Sequence, residues 1–435
     1  MTWLTIAGIV LFLLGLAASI ALHELGHLVP AKLFGVRVTQ YMVGFGPTMW
    51  SRRKGETEYG VKWIPMGGYI RMIGMLPPRA GDEPGRLRRT STGPFQGLVD
   101  SARDLAQEEV RPGDEDRVFY RKKWWQKVIV MSGGPLMNLA LAFVLFAILL
   151  MSVGLIELKP VVSPLTSTCV IPAAEKRTDC RPSDPLTPAK EAGMKVGDEI
   201  VAFNGTKITG WDDVSKRIRT HGAGTVQLGI VRDGRPMTLD VNLIAQDRPS
   251  PEDPKVIVKN AGFLGVQATQ VYEQQSLGQV AGYMVDLTGR VAASMLDLPQ
   301  KMVGVWQAAF SGEERDRQGP VGIIGAGRMG GEILSSSVLD GEEKFWGFLN
   351  LLAGFNLAIG VFNLIPLLPL DGGHIAGGLW EGLKRGYARV LRRPEPRHVD
   401  IAKVLPLTYV LAFVMIIMAG LLAYADLVNP IRLSG

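Results

Sequence analysis

The chain has 435 residues, of which 47% are hydrophobic and 20% charged, with a net charge of +6 and two cysteines. Wholesale disorder is excluded, because disordered chains are apolar-poor and highly charged, and two cysteines are too few for a disulfide scaffold. The mean hydropathy of +0.17 places part of the chain in lipid. The basic excess is then read as loops flanking membrane spans rather than as a nucleic-acid surface, and no nucleic-acid partner is expected.

Four blocks contain no Asp, Glu, Lys or Arg: Met1 to His23, Val128 to Ile156, Phe345 to Leu370 and Val404 to Ala425. Each is long enough to span the roughly 30 Å hydrocarbon core as a helix. The first is not read as a signal peptide, since no Lys or Arg precedes its apolar run and Glu24 follows it directly. Arg52, Arg53, Lys54, Arg121, Lys122, Lys123 and Lys127 lie between spans one and two. Lys384, Arg385, Arg389, Arg392, Arg393, Arg397 and Lys403 lie between spans three and four. Positive loops stay inside, so both are expected to be cytoplasmic and both termini external. Residues 157–344 then fall outside, a compartment that permits a disulfide between Cys169 and Cys180.

The first span runs into His23-Glu24-Leu25-Gly26-His27. On a helix, residues four apart share a face, so both imidazoles can meet one metal ion with Glu24 beside it. With five His and twenty Glu in the chain, this pattern arises by chance about three times in a thousand. Ionisable groups at the end of a span are costly and usually functional. Such a zinc site needs a third protein ligand and an open position for water. The third span has the same direction as the first and ends in Asn363-Leu364-Ile365-Pro366-Leu367-Leu368-Pro369-Leu370-Asp371-Gly372-Gly373-His374. Asp371 and His374 are both within reach of the same membrane face, and Pro366 and Pro369 interrupt the helix there.

Glu58 to Met75 is apolar but broken by Gly60, Pro65, Gly67, Gly68 and Gly74, a pattern that predicts a β-hairpin. Its edge would pair with an unwound substrate backbone by strand addition, which places Gly67 and Gly68 among the substrate-binding candidates. Residues 77–127 form a polar cytoplasmic insert, and Ser132-Gly133-Gly134-Pro135 near the start of span two permits close helix packing. From Pro188 to Ile244, alternating apolar strands, the Asn204-Gly205 turn, a helical pattern from Trp211 to Arg219 and the Asp233-Gly234 turn resemble a circularly permuted bacterial PDZ domain. A first strand near Pro160 to Leu165 would open it, and Gly262-Phe263-Leu264-Gly265-Val266 would form its groove loop. Gln274 to Phe310 reads as amphipathic helix at the outer surface.

The His-Glu-x-x-His end of one span, the Asn363-to-Gly373 segment of another and the PDZ-like insert together resemble the site-2 protease family of intramembrane metalloproteases. The resemblance is to its single-PDZ branch, which cleaves anti-sigma factors, and it covers essentially the whole chain. It implies one zinc ion per chain held by His23, His27 and Asp371, with Glu24 as general base. Asn363 would hold substrate backbone or the oxyanion, Asn138 would sit near the site, and His374 would be structural. It further implies a bacterial plasma-membrane location. The substrate would be a single-span, anti-sigma-like protein already trimmed outside by a site-1 protease, with a peptide or substrate segment at the PDZ groove.

The expected fold class is thus a polytopic α-helical membrane protein of four spans with a membrane-associated β-hairpin and an external α+β PDZ domain. Its segments are expected at 1–34 (first span), 35–76 (hairpin region), 77–127 (insert), 128–156 (second span), 157–268 (PDZ-like), 269–344 (external amphipathic helices), 345–373 (third span), 374–403 (basic loop), 404–425 (fourth span) and 426–435 (tail). Two other function classes compete. A zinc transporter would distribute polar ligands through the bilayer, often in repeated halves, and this chain does not. A PDZ-bearing adaptor would keep full activity in the cell when Glu24 is replaced by Gln.

Overall fold

The computed structural model describes residues 2–78, 96–171, 179–250, 256–313, 315–316, 319–396 and 398–431. In chain order its elements are α1 (Trp3–Leu33), β1 (Val38–Lys54), β2 (Thr57–Met72), α2 (Gln96–Glu108), α3 (Trp124–Ser152), β3 (Leu155–Val162), α4 (Pro188–Glu191), β4 (Glu199–Phe203), β5 (Thr206–Lys207) and α5 (Trp211–His221). There follow β6 (Gly224–Arg232), β7 (Arg235–Pro249), β8 (Ile257–Phe263), β9 (Ala268–Glu273), α6 (Leu277–Leu296), α7 (Leu298–Phe310), α8 (Ile323–Ser335), α9 (Gly341–Asn363), α10 (Asp371–Val390) and α11 (Leu405–Val428). The chain divides into two units, one of Met1–Leu149 with Ser276–Gly435 and one of Leu150–Gln275.

In the first unit, four helical stretches among the described residues are long and apolar enough to cross a membrane: Trp3–Leu33, Trp124–Ser152, Gly341–Asn363 and Ile401–Val428. The first continues ten residues past His23, with Pro30 inside it, so the His pair lies within α1 rather than at its end. The spans meet at small residues. A Cβ on Gly26 would lie 2.2 Å from the Gly133 carbonyl oxygen, and one on Gly8 would lie 2.5 Å from that of Gly330, so the helix pairs α1–α3 and α1–α8 touch backbone to backbone. At the far end of α11, Asp426 accepts from the amides of Gly322 and Gly325 at the start of α8 and pairs with Arg315 at 2.7 Å.

Four expectations need correction. The strand pairing is not confined to residues 58–75: β2 pairs with β1, joined at Gly55 and Glu56. Within β1, Gln40, Tyr41, Met42 and Val43 pair with Arg71, Ile70, Tyr69 and Gly68 on one side and with Glu58, Tyr59, Gly60 and Val61 on the other. That is achieved because β1 turns back at Gly44, whose φ of 91° favours glycine. Second, α9 stops at Asn363, because the two prolines cannot continue it, and Asp371 opens a new helix instead of closing span three. Third, the expected basic loop 374–403 is mostly helix α10. Its glycines weaken the helical signal, but Gly378, Glu381 and Ala388 give it a buried face. Fourth, the insert 77–127 holds helix α2, tied by Arg103 to Asp400 at 2.6 Å, while residues 79–95 lie outside those described.

The stretch from Gln274 to Phe310 is two helices, α6 and α7, meeting at Asp297. Ser276 and Gln279 form a reciprocal cap at the start of α6. Met284 and Tyr283 of α6 pack with Phe146 of α3 and Leu357 of α9, so this helix leans on the spans.

The second unit is built on a sheet of order β8-β7-β6-β4-β3-β9, with β5 beside β4. Arg232 pairs with Arg235 across the Asp233-Gly234 turn. The core between the sheet and α5 contains Ile200, Val214, Ile218, Val226, Leu228, Ile230, Val241 and Leu243. The buried Asp198 takes a two-pronged ion pair from Arg232 at 2.7 Å and a hydrogen bond from the Lys195 amide. Cys169 and Cys180 are joined by a disulfide.

Candidate metal centre

His23 and His27 project from one face of α1, and Asp371 projects from the first position of α10. Glycines after the aspartate let the preceding loop fold over the helix start. A Cβ on Gly372 would lie 2.1 Å from the Ile365 carbonyl oxygen, and one on Gly373 would lie 2.6 Å from the Leu368 nitrogen. That is the local reason for Gly after Asp in this segment.

The three ligand atoms converge. Asp371 Oδ2 is 3.2 Å from His23 Nε2 and 3.3 Å from His27 Nε2, and the two Nε2 atoms are 3.3 Å apart. Ligands bound at about 2.0–2.1 Å in a tetrahedral zinc site lie roughly 3.3 Å from one another. The spacing therefore fits zinc. The protonation pattern fits as well. His27 Nδ1 donates to the Val130 carbonyl of α3 at 2.8 Å, which leaves a lone pair on Nε2. A lone pair facing a carboxylate oxygen is repulsive unless a cation or proton lies between them. These donors form the one His, Cys, Asp and Glu group suited to a metal among the described residues.

Other site residues are set by close backbone approach. A Cβ on Gly134 of α3 would lie 2.2 Å from His27 Nε2 and 2.7 Å from His23 Nε2, so the bare glycine keeps a space in front of the ligand atoms. Glu24 is 8% exposed, and the Ile70 backbone of β2 lies near its carboxylate. Gly68 lies over it, with a Cβ there 2.9 Å from Glu24 Cγ. Tyr41 of β1 donates to the Ala21 carbonyl at 2.7 Å, which fixes the sheet against α1. The strand bearing Gly67 and Gly68 thus runs beside the carboxylate.

Among the remaining sequence candidates, Asn363 is the last residue of α9, eight positions before Asp371. His374 is one helical turn beyond Asp371 on α10 and outside the ligand trio. Asn138 is buried one turn along α3 from Gly134, and neither of its amide atoms has a hydrogen-bond partner among the described residues. In the second unit Gly265, at φ 83°, packs on Thr187, and the neighbouring Leu264 carbonyl accepts from Ala189. Sequence reasoning missed the Val130 carbonyl and the role of Gly134. The only signal for the latter is the Gly133-Gly134 pair, which reads as packing.

A His-His-Asp trio, with His27 buried and the other two partly so, beside a buried Glu on an apolar helix defines a metallohydrolase centre in a membrane protein. The model of peptidase family M50 matches residues 11–392. Zinc metalloprotease Rip1 of Mycobacterium tuberculosis (strain ATCC 25618 / H37Rv) is 33% identical over 98% of this chain and 99% of its own. Rip1 of Mycolicibacterium smegmatis is 32% identical over 98% of each chain, and zinc metalloprotease RasP of Geobacillus kaustophilus is 25% identical over 85% of this chain and 88% of its own. The chain belongs to peptidase family M50, the site-2 proteases. It is a zinc metalloprotease of the membrane.

Proposed function

We propose that this protease hydrolyses a peptide bond in or near the transmembrane segment of single-span regulatory proteins such as anti-sigma factors, after another protease has trimmed them outside the cell. The observation that carries the reading is the placement of His23, Glu24 and His27 inside an apolar spanning helix, with Asp371 closing the trio. His23 Nε2, His27 Nε2 and Asp371 Oδ2 would hold the zinc. When bound, zinc supplies Lewis acidity toward the scissile carbonyl and toward water. Glu24 accepts the proton of the attacking water and returns it to the leaving amine. Val130 fixes the His27 ring through Nδ1. The edge at Gly67 and Gly68 holds the substrate in extended form, since a helical peptide bond is sequestered by its own hydrogen bonds. Asn363 supports the substrate backbone or the developing oxyanion.

In the second unit, Gly262 and Phe263 of the expected groove loop end strand β8 instead, and the remaining loop around Gly265 fits that of a PDZ-like module that screens trimmed substrates. A bacterial plasma membrane with both termini and this unit outside suits the basic loops and the Cys169–Cys180 disulfide. The test is cleavage of a single-span anti-sigma-like substrate by purified protein in detergent, with zinc content measured in the same samples. Wild type is expected to cleave, and Glu24→Gln to lose cleavage at least a hundredfold with its zinc retained. Undiminished cleavage by Glu24→Gln would sink the mechanism.

A further inference from the structure

Helix α10 has two unlike faces. Glu381 and Ala388 are buried against the protein, while Leu379, Trp380, Leu383 and Tyr387 are between 47% and 66% exposed on the opposite side. Between that outer face and α11 runs a groove of about 300 Å³, lined by the Pro366–Leu368 loop, Gly373, Gly377, Trp380, Val404 and Leu411 among others. No charged side chain lines it. Its one hydroxyl, on Thr408, already donates to the Val404 carbonyl at 3.0 Å. The interior is therefore almost wholly apolar, with the Trp380 indole as its other polar side chain.

The rim is different. Lys384 Nζ stands 5.5 Å from the centre of the Trp380 ring, itself part of the lining. Lys403, next to the lining residue Val404, is exposed. Neither lysine is in an ion pair among the described residues. An apolar slot with unpaired cations at its mouth, continuous with the exposed apolar surface of α11, complements an amphiphile with an anionic head.

We propose that this groove is a binding site for one anionic phospholipid, with an acyl chain between α10 and α11 and its phosphate against Lys384 and Lys403. The site goes beyond the proteolytic reading and does not depend on it. An acyl chain seated there packs on the Pro366–Leu368 loop and on Gly373, the segments on either side of Asp371.

The test uses the full-length protein reconstituted in liposomes of equal phosphatidylcholine and phosphatidylglycerol, extracted gently, with retained lipid counted by native mass spectrometry. Wild type is expected to retain phosphatidylglycerol over phosphatidylcholine by about tenfold, the effect of one to two surface cations. Lys384→Gln with Lys403→Gln should bring the two lipids near parity. Gly377→Leu should empty the groove of both, because a Cβ there meets only the Ile401 side chain, at 3.6 Å, and the added side chain fills the slot. Leu411→Trp, from the opposite wall, serves as the second blocking variant should Gly377→Leu not fold. Equal retention of both lipids by wild type, or an unchanged preference in the lysine double variant, overturns the proposal. A full lipid load in a folded blocking variant also overturns it. If that variant also raises KM for substrate, the groove belongs to the substrate helix.

Discussion

At Gly134 a single methyl group decides whether the ligand atoms have room in front of them. A Cβ at 2.2 Å from His27 Nε2 cannot be accommodated without moving the imidazole or α3. Gly134→Ala is therefore expected to lower bound zinc to below about a tenth of an equivalent per chain while the protein stays folded, a loss of affinity of the size seen when ligand orientation is disturbed. Zinc content by elemental analysis, beside a thermal melt in detergent, checks it; full zinc occupancy would remove Gly134 from the site. The ligands His23 and His27 and the base Glu24 are legible in sequence because metal chemistry restricts the residue types and helix geometry restricts their spacing. Asp371 is legible only in part. Spacing left it beside His374 as an alternative, and the fold-back of Leu364–Leu370 over Gly372 is what brings Asp371 and not His374 into the trio. The Val130 carbonyl carries no signal at all, since any residue offers one.

The helix α10 is held to α3 by charge. Lys127 and Glu381 are both buried and 2.7 Å apart, with Arg385 at 3.0 Å and His398 at 3.1 Å from Glu381. Burial alone would raise the Glu381 carboxyl, but His398 and Lys127 outweigh it and hold it at about 2. Removing one partner strands a buried charge, so Glu381→Leu is expected to cost about 3–5 kcal/mol of stability. Lys127→Met together with Glu381→Leu should recover part of that loss, because the buried cation goes with its partner and only the partly exposed Arg385 and His398 lose theirs. Denaturation of both variants in detergent checks the pair, and equal destabilisation by the single and double changes would show that the ion pair is not what holds α10. This element is where the sequence misled. Lys127 reads as a membrane-flanking cation, and residues 374–403, with four glycines and five arginines, read as a loop. Its helicity comes from packing, as Gly378 and Gly382 lie close against Val128 and Trp124.

For the molecule as a whole, the two units rest on different forces. The first buries glycine contacts and polar latches between apolar helices, whereas the second has an aqueous-type core with a buried Asp198 paired to a half-buried Arg232. Burial works against the Asp198 charge, but Arg232 and the Lys195 amide outweigh it and hold the carboxyl below its usual range. A depressed folded-state value means that this stabilisation is complete above the unfolded carboxyl range and is lost as pH falls through the folded one. Comparing the thermal unfolding of wild type and Asp198→Asn should give a constant difference above about pH 5 that shrinks steadily below about pH 4. A difference independent of pH would show that the carboxylate charge contributes nothing.

The sequence by itself determined the four apolar stretches, the His-Glu-x-x-His chemistry and the alternation of strands around Asn204-Gly205 and Asp233-Gly234. These depend on local period, composition and turn chemistry, which neighbouring residues specify among themselves. Only the tertiary structure decided that β1 folds back between two segments of β2, that Asp371 begins a helix, and that Gly134 faces the His pair. Each of these is a contact between segments distant in sequence, and its geometry is fixed by how closely two backbones can approach once packed.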